Sequence, residues 1–456
     1  MVEGWNQKSI VEVADFINGG AWSDKEYVEK GIPVVRVSNI KNGSIDFSDC
    51  KFLPNNALEK YGKNELKSND LIVCTVGSHP QVISSAVGRT CRVKQLDSIT
   101  LLNQNAAIIR ANSEDVIQGW INYVSKSILF SKYISDHARG SANQARMSIG
   151  LLKQFPLPLP PIKEQKRIAE IFGALDDKIE VNLKMNKTLE EMAQALYKEW
   201  FVDFGPVIDK ARQAGNPIPA ELETKAAKRR HLKPDEIPYG LDQDTYALFP
   251  DSFEDSKLGP IPKGWEVTSI YDLAQYVNGG AFKQKELGVE GLPIIKIADL
   301  KRGISNSTQR FAGEYKPKNL IKDGDILFAW SASLDIFLWA EGKALLNQHI
   351  FNVLPAPGFS KEFLFITLKH FIKEFQSIAA DRATTMGHIT KEHLIQASKA
   401  MPEINLFEKF EDKLKPILNA LFSNLKENQT LTQTRDALLP KLISGEVQVK
   451  LDRGTV

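Results

Sequence analysis

The chain has 456 residues, too many for one ordinary core, and its length suggests two to four domains. Its composition, 43% hydrophobic and 25% charged, is that of a soluble globular protein rather than a disordered or fibrous one. No apolar run approaches the roughly 20 residues that cross a bilayer. The start MVEGWNQKSI lacks the basic and then apolar zones of a signal peptide. Both features favour a cytoplasmic protein with no membrane partner. Cys50, Cys74 and Cys91 form no CxxC pair, so they read as reduced thiols, and a zinc site is not expected. The net charge of +2 gives little support for nucleic-acid binding. Residues 1–162 hold 18 Lys/Arg against 15 Asp/Glu and residues 261–402 hold 17 against 14, so the positive excess sits in two blocks.

In chain order, Gly19-Gly20 suits a tight turn needing positive φ. Residues 33–37 and 71–76 are short β-branched runs bounded by turn residues, which predicts strands. Residues 115–138 carry an apolar helical pattern through Ile117, Trp120, Ile121, Val124, Ile128 and Tyr133. The proline-rich stretch 155–161 is stiff and extended. It ends a mixed α/β block and hands the chain to residues 163–203. These contain no proline and place Ile168, Phe172, Leu175, Ile179, Leu189, Ala193, Leu196 and Trp200 at spacings of four and three. Asn182 and Asn186 occupy the missing seam positions. Residues 204–260 form a Pro-rich, acidic linker.

The second half then repeats the first. Residues 13–22 (VADFINGGAW) return as 273–282 (LAQYVNGGAF), and 31–37 (GIPVVRV) return as 291–297 (GLPIIKI), all at an offset of 260. Leu101-Leu102-Asn103-Gln104 answers Leu345-Leu346-Asn347-Gln348, and 182–189 (NLKMNKTL) answers 424–431 (NLKENQTL) at an offset of 242. The seam recurs as Phe410, Leu414, Ile417, Leu421, Asn424, Asn428, Leu431, Arg435, Leu438 and Leu442. Pro416 should kink or restart this second helix, and Gly445 is a plausible stop. The expected divisions are 1–162, 163–203, 204–260, 261–402, 403–446 and a tail at 447–456.

Each long helix would expose an apolar stripe of about 60 Å if left alone, so the two should pair. Asn182, Asn186, Asn424 and Asn428 would then meet and fix register. The pattern leaves parallel and antiparallel pairing open, and it also allows a helix pair that merely holds domains together.

These features together resemble the specificity subunit of a type I restriction–modification system. The residues that carry the resemblance are the repeated NGGA segments, 155–169 (FPLPLPPIKEQKRIA), 196–204 (LYKEWFVDF), 249–256 (FPDSFEDS) and 258–265 (LGPIPKGW). Residues 401–408 (MPEINLFE) lack the PLPP and EQ signature of the first half. The resemblance implies an α+β or mixed α/β fold. It has two target-recognition domains and two long helices, which pair as an antiparallel coiled coil under a pseudo-twofold. It implies double-stranded DNA as ligand, with each domain reading half of a split, asymmetric target and the helix pair setting the spacing. It also implies docking of two modification (methyltransferase) subunits, recruitment of restriction subunits, a prokaryotic cytoplasmic location, no cofactor and no catalysis by this chain.

Base reading needs Arg for guanine and Asn or Gln for adenine, while Lys, Arg, Ser and Thr suit phosphates. Three regions in each block offer these. The first holds Arg139, Ser141, Asn143, Gln144 and Arg146, matched by Arg382, Thr384, Thr385 and His388. The second holds Ser78 and His79, matched by Ser331 and Ser333. The third holds Arg36 and Lys41, matched by Lys296, Lys301 and Arg302. Solvated loops remain the plain alternative for any one of these residues. The basic run at 225–233 reads as a solvated helix end.

The sequence lacks an NPPF- or DPPY-like motif, a glycine-rich cofactor loop and a GxxxxGK[ST] phosphate loop. Pro250-Asp251 with Asp255-Ser256-Lys257 only superficially resembles a nuclease signature. A stand-alone DNA-modifying enzyme with duplicated readers is the alternative that these absences oppose; a coiled-coil scaffold that binds only protein is a third.

Overall fold

A computed structural model of the chain describes residues 4–41, 43–78, 87–141, 144–229, 240–305, 307–380 and 388–450. The chain forms two compact units. The first joins 1–178 to 431–456, and the second spans 179–430. Each long helix therefore contributes one part to each unit.

The first unit is built on a four-stranded antiparallel sheet in the order Ala14–Asn18, Ala106–Ala111, Leu71–Cys74, Thr90–Arg92. A second sheet pairs Leu101–Leu102 in parallel with Ile32–Val35, which pairs antiparallel with Lys51–Leu53. The β-branched runs become these strands because both faces are covered: Val34, Val35, Ile72 and Val73 are all fully buried. The run expected at 71–76 splits. Leu71–Cys74 stays in the main sheet, whereas Val76–Gly77 joins another. Burial pushes the Cys74 thiol up to about 12 and the Cys91 thiol up to about 11, which makes both poor nucleophiles.

The apolar pattern at 115–138 forms two helices rather than one, Gln118–Val124 and Ile128–His137. Ser127 caps the second by accepting from the Phe130 amide, and its own hydroxyl donates to the Val124 carbonyl at 2.6 Å. A serine that satisfies both helix ends interrupts the pattern at low cost. The Trp120 indole donates to the Pro158 carbonyl at 2.7 Å, which ties the first helix to the proline-rich strand. That strand, Pro156–Leu159, pairs antiparallel with Asn6–Ser9.

The second unit repeats this plan. Its main sheet runs Ala274–Asn278, Ile350–Pro355, Ile326–Ala329, Asp335–Leu338. Leu292–Ile295 lies parallel to Ala344–Leu346, as Ile32–Val35 does to Leu101–Leu102. Glu266–Ser269 pairs with Ser398–Met401 in the register of the first unit.

The repeated glycine pair serves a different purpose from the one expected. Gly19 and Gly20 do not adopt positive φ. A Cβ on Gly19 would lie 1.9 Å from the Asn103 carbonyl oxygen, and one on Gly279 would lie 2.2 Å from that of Asn347. The NGG segment instead bridges the LLNQ segment, Gly20 to Asn103 and Gly280 to Asn347. Close backbone approach, not turn geometry, excludes side chains at these positions.

The long helices are Ile162–Phe201 and Ile404–Ser444. The second runs through Pro416 without restarting, and Gly445 ends it at φ +73°. Within the second unit the Asn182 amide donates to Asn428 Oδ1 at 3.0 Å, and the Asn424 amide donates to Asn186 Oδ1 at 2.9 Å. Residue numbers rise on one helix as they fall on the other, so the pairing is antiparallel. Within the first unit, Asp176 meets Arg435 at 3.0 Å in the same sense. Burial opposes charge on Asp176, but Lys126 and Arg435 hold its carboxyl below the ordinary value. Among the described residues, no helix is long and apolar enough to cross a membrane.

Candidate nucleic-acid interface

Two regions that are separate in sequence become one surface in the first unit. Arg139–Ser141 pairs with Gln144–Arg146, and that strand pairs with Val76–Gly77, the segment just before Ser78. Residues Arg139–Ser141 and Gln144–Arg146 are therefore paired strands, not parts of an irregular loop. Their register sets Arg139 directly opposite Arg146, and both are exposed. Like charges facing each other across an antiparallel pair repel, so this strand end favours an anion. His79 and Asn143 lie outside the described residues, as do the side chains of Ser141 and Gln144.

The second unit builds the same junction from other residues. Ser331 bridges His388, and the Ile389 amide donates to the Trp330 carbonyl at 3.0 Å. The first unit has the Met147 amide on the Thr75 carbonyl at 2.8 Å, so His388 stands where Arg146 stands and Trp330 where Thr75 stands. Ala332 beside them holds φ +56°, a sparsely populated conformation for a residue with a Cβ. Ser333 is exposed next to it. Arg382, Thr384 and Thr385 lie outside the described residues.

Around Trp330 lie three rings, of which the sequence pointed to His388 but not to Phe351 or His349. Its ring stacks on Phe351 at 5.6 Å, with His349 at 5.6 Å and His388 at 6.2 Å, and its indole donates to Asn278 at 3.3 Å. The available signal was the LLNQ repeat, since His349 directly follows Gln348. That repeat was read as framework alone.

The third region is locally paired. The Arg36 guanidinium donates to the Asp49 carbonyl at 2.7 Å and meets the Asp49 carboxylate at 3.3 Å. Lys41 meets Asp46 at 2.8 Å. Hydrogen bonds from Lys41 and Ser48 hold the Asp46 carboxyl far below its ordinary range. Lys296 donates to Gln309, and Asp299 accepts from the Lys296 amide at 3.0 Å. By contrast, Lys301 and Arg302 are exposed at the end of helix Ile297–Arg302, where cations also suit the helix dipole.

The basic run at 225–233 departs from its reading as a solvated end. Arg229 is largely buried, held by Asp209 and by Glu199 at 2.6 Å. Lys225 donates to the Val202 carbonyl at 2.7 Å. Residues 230–239 lie outside the described residues. Among the described residues, no group of three or more His, Cys, Asp or Glu could hold a metal ion.

A profile described as "Type I restriction modification DNA specificity domain" matches residues 2–191 and 262–398, one stretch for each half of the repeat. The chain is 30% identical over 348 residues to the type I restriction enzyme HindI specificity subunit of Haemophilus influenzae, covering 70% of this chain and 74% of that one. It is 25% identical over 354 residues to the MjaIX specificity subunit of Methanocaldococcus jannaschii, covering 74% and 71%. In fold it is similar to the crystal structure of the S subunit from M. genitalium, with a TM-score of 0.52 and 15% identity over 98% of this chain and 96% of that one. The chain belongs to the family of type I restriction modification DNA specificity domains.

Proposed function

We propose that this chain is the non-catalytic specificity subunit of a type I restriction–modification complex, reading a bipartite, asymmetric target with one domain per half-site. The observation that carries this reading is the exchanged chemistry on one backbone frame: Arg146 and Thr75 in the first unit, His388 and Trp330 in the second. Two like frames suit two half-sites, and unlike side chains suit unequal bases. In the first unit Arg139 and Arg146 supply guanine or phosphate contacts. In the second, Ser331, Ser333 and His388 lie at the equivalent junction, with Arg382, Thr384 and Thr385 in the preceding segment. Lys301 and Arg302 suit phosphates, and Arg36, Lys41 and Lys296 contribute once their local partners yield.

The paired helices act as the spacer between half-sites, with Asn182, Asn186, Asn424 and Asn428 fixing their register. Modification subunits, two in number, dock on the helix-proximal segments and carry methyl transfer, and restriction subunits join that assembly. The matching experiment is methylome sequencing of cells carrying this chain with its modification subunit, before and after residues 1–160 are exchanged for another recognition domain. One half of the methylated motif should change. A change in both halves overturns one domain per half-site. Methyl transfer by the purified chain with S-adenosylmethionine alone overturns the non-catalytic reading.

A further inference from the structure

We propose that the second unit holds a binding site for a small organic anion with a flat apolar body, in the cavity lined by Lys399. The inference starts from the repeat. Leu157 in the first unit pairs across from Lys8, and Lys399 in the second pairs across from Thr268, at the same place in the same strand pair. Leu157 is fully buried in a core cluster that also contains Ile121, Leu439 and Ile443. At the offset of 242 these three become Phe363, Tyr197 and Phe201. Four aliphatic residues have thus been replaced together by a lysine and three aromatic rings.

The lysine Nζ lies 4.3 Å from the ring centre of Tyr197, 4.0 Å from that of Phe201 and 4.1 Å from that of Phe363. Lys399 is only 4% exposed, and among the described residues no hydrogen-bond partner meets its Nζ. Ring faces stabilise a cation but accept none of its three N–H groups in the way an oxygen does. A buried amine left in that state is unfavourable unless something else pairs with it. Burial also pushes the amine well below its ordinary value, and an anion beside it favours the charged form again.

Space for such a partner adjoins the lysine side chain, whose Nζ is itself enclosed by the rings, so a ring must shift for the two to meet. Lys399, Tyr197 and Phe201 line a cavity of about 400 Å³, with Phe204, Phe371 and Ile261 among its apolar walls. His370 and the exposed Glu221 also contribute to its lining. The first unit has a cavity of about 380 Å³ at the matching place, where Ile128 and Leu129 stand for His370 and Phe371. There the strand presents no lysine. Among the described residues, only the second unit combines a cavity, flat walls and an unpartnered buried amine.

The probe is 8-anilinonaphthalene-1-sulfonate, a sulfonate on a flat apolar body, titrated into the full chain. One saturable site is expected, sensitised by energy transfer from tryptophan. Lys399→Leu restores the residue of the first unit, so it should fold and resist heat at least as well as the parent. It should bind the probe at this site at least tenfold more weakly. Benzoate should displace the probe, and the isosteric neutral benzamide should not. Equal binding by K399L, absence of a saturable site in the parent, or equal displacement by benzamide would each overturn the proposal. None of these readouts involves DNA, so they stand apart from the specificity reading.

Discussion

The strand junction of the first unit and its counterpart in the second share a backbone and differ in nearly every outward side chain. In both, the amide just after the bridged pair donates to the carbonyl of the residue just before it, Met147 to Thr75 and Ile389 to Trp330. In both, the NGG glycines press against the LLNQ backbone. Yet one junction presents opposed arginines and the other a tryptophan among histidines. Backbone hydrogen bonds and close approaches constrain the frame, because a buried unpaired amide or a misplaced Cβ costs several kcal/mol in order of magnitude. Outward side chains at the junction bear no such constraint. The same division runs through the cores. The first unit packs Leu439, Leu442 and Ile443 where the second packs Tyr197, Trp200 and Phe201.

The largest test of this comparison is in the cores. Trp200→Ala should cost about 3–5 kcal/mol by opening a large cavity among Phe249 and Phe410, whose rings it touches. Hydrogen exchange should rise chiefly within 179–430; an equal rise in both units would show that they unfold as one. Next, Arg139→Ala and Arg146→Ala should each weaken binding of the specific target by about 1–3 kcal/mol if either reads a base. Quantitative binding to matched and random duplexes checks this, since equal loss on both marks a phosphate contact instead.

A smaller effect tests the helix seam. Asn182 Oδ1 and Asn186 Nδ2 are buried and meet no hydrogen-bond partner among the described residues. Asn182→Leu with Asn428→Leu should therefore raise the denaturation midpoint while loosening register, which disulfide trapping at neighbouring positions would detect. A single register in the double variant would remove the asparagines' proposed role. The smallest effect is Asp176→Asn, expected to cost about 1 kcal/mol at neutral pH through its partners Lys126 and Arg435. Its folded-state carboxyl is held low, so this contribution is present above the unfolded value and is lost as pH falls through the folded one. The parent and variant stability curves should converge below about pH 4. Curves that stay parallel would mean that the charge contributes nothing.

Most of the frame was legible because it is periodic. The heptad seam identified Ile168, Phe172, Ala193 and Trp200, all of which are buried. It missed Tyr197 and Phe201, buried off the seam because the second globular block covers that face as well. The candidate site was only half legible. Residue type picked out Arg139 and Arg146, but facing one another across a strand pair is a property of strand register. Arg229 shows the converse, since its place in a basic run says nothing of Asp209, twenty positions away in sequence and beside it in space.

The sequence by itself determined that this protein is a repeat with two α/β blocks and two seamed helices, because self-similarity and periodicity are local, countable properties. Tertiary structure decided the rest. It set the antiparallel sense of the helices, which sequence left open because a heptad seam can pair either way. It converted the glycine pair from a presumed turn into a close backbone contact. It turned Pro416 into an uninterrupted part of a helix, since packing along the seam outweighs one lost hydrogen bond. And it gathered Lys399 into a cage of rings drawn from two distant helices, a juxtaposition that no spacing along the chain encodes.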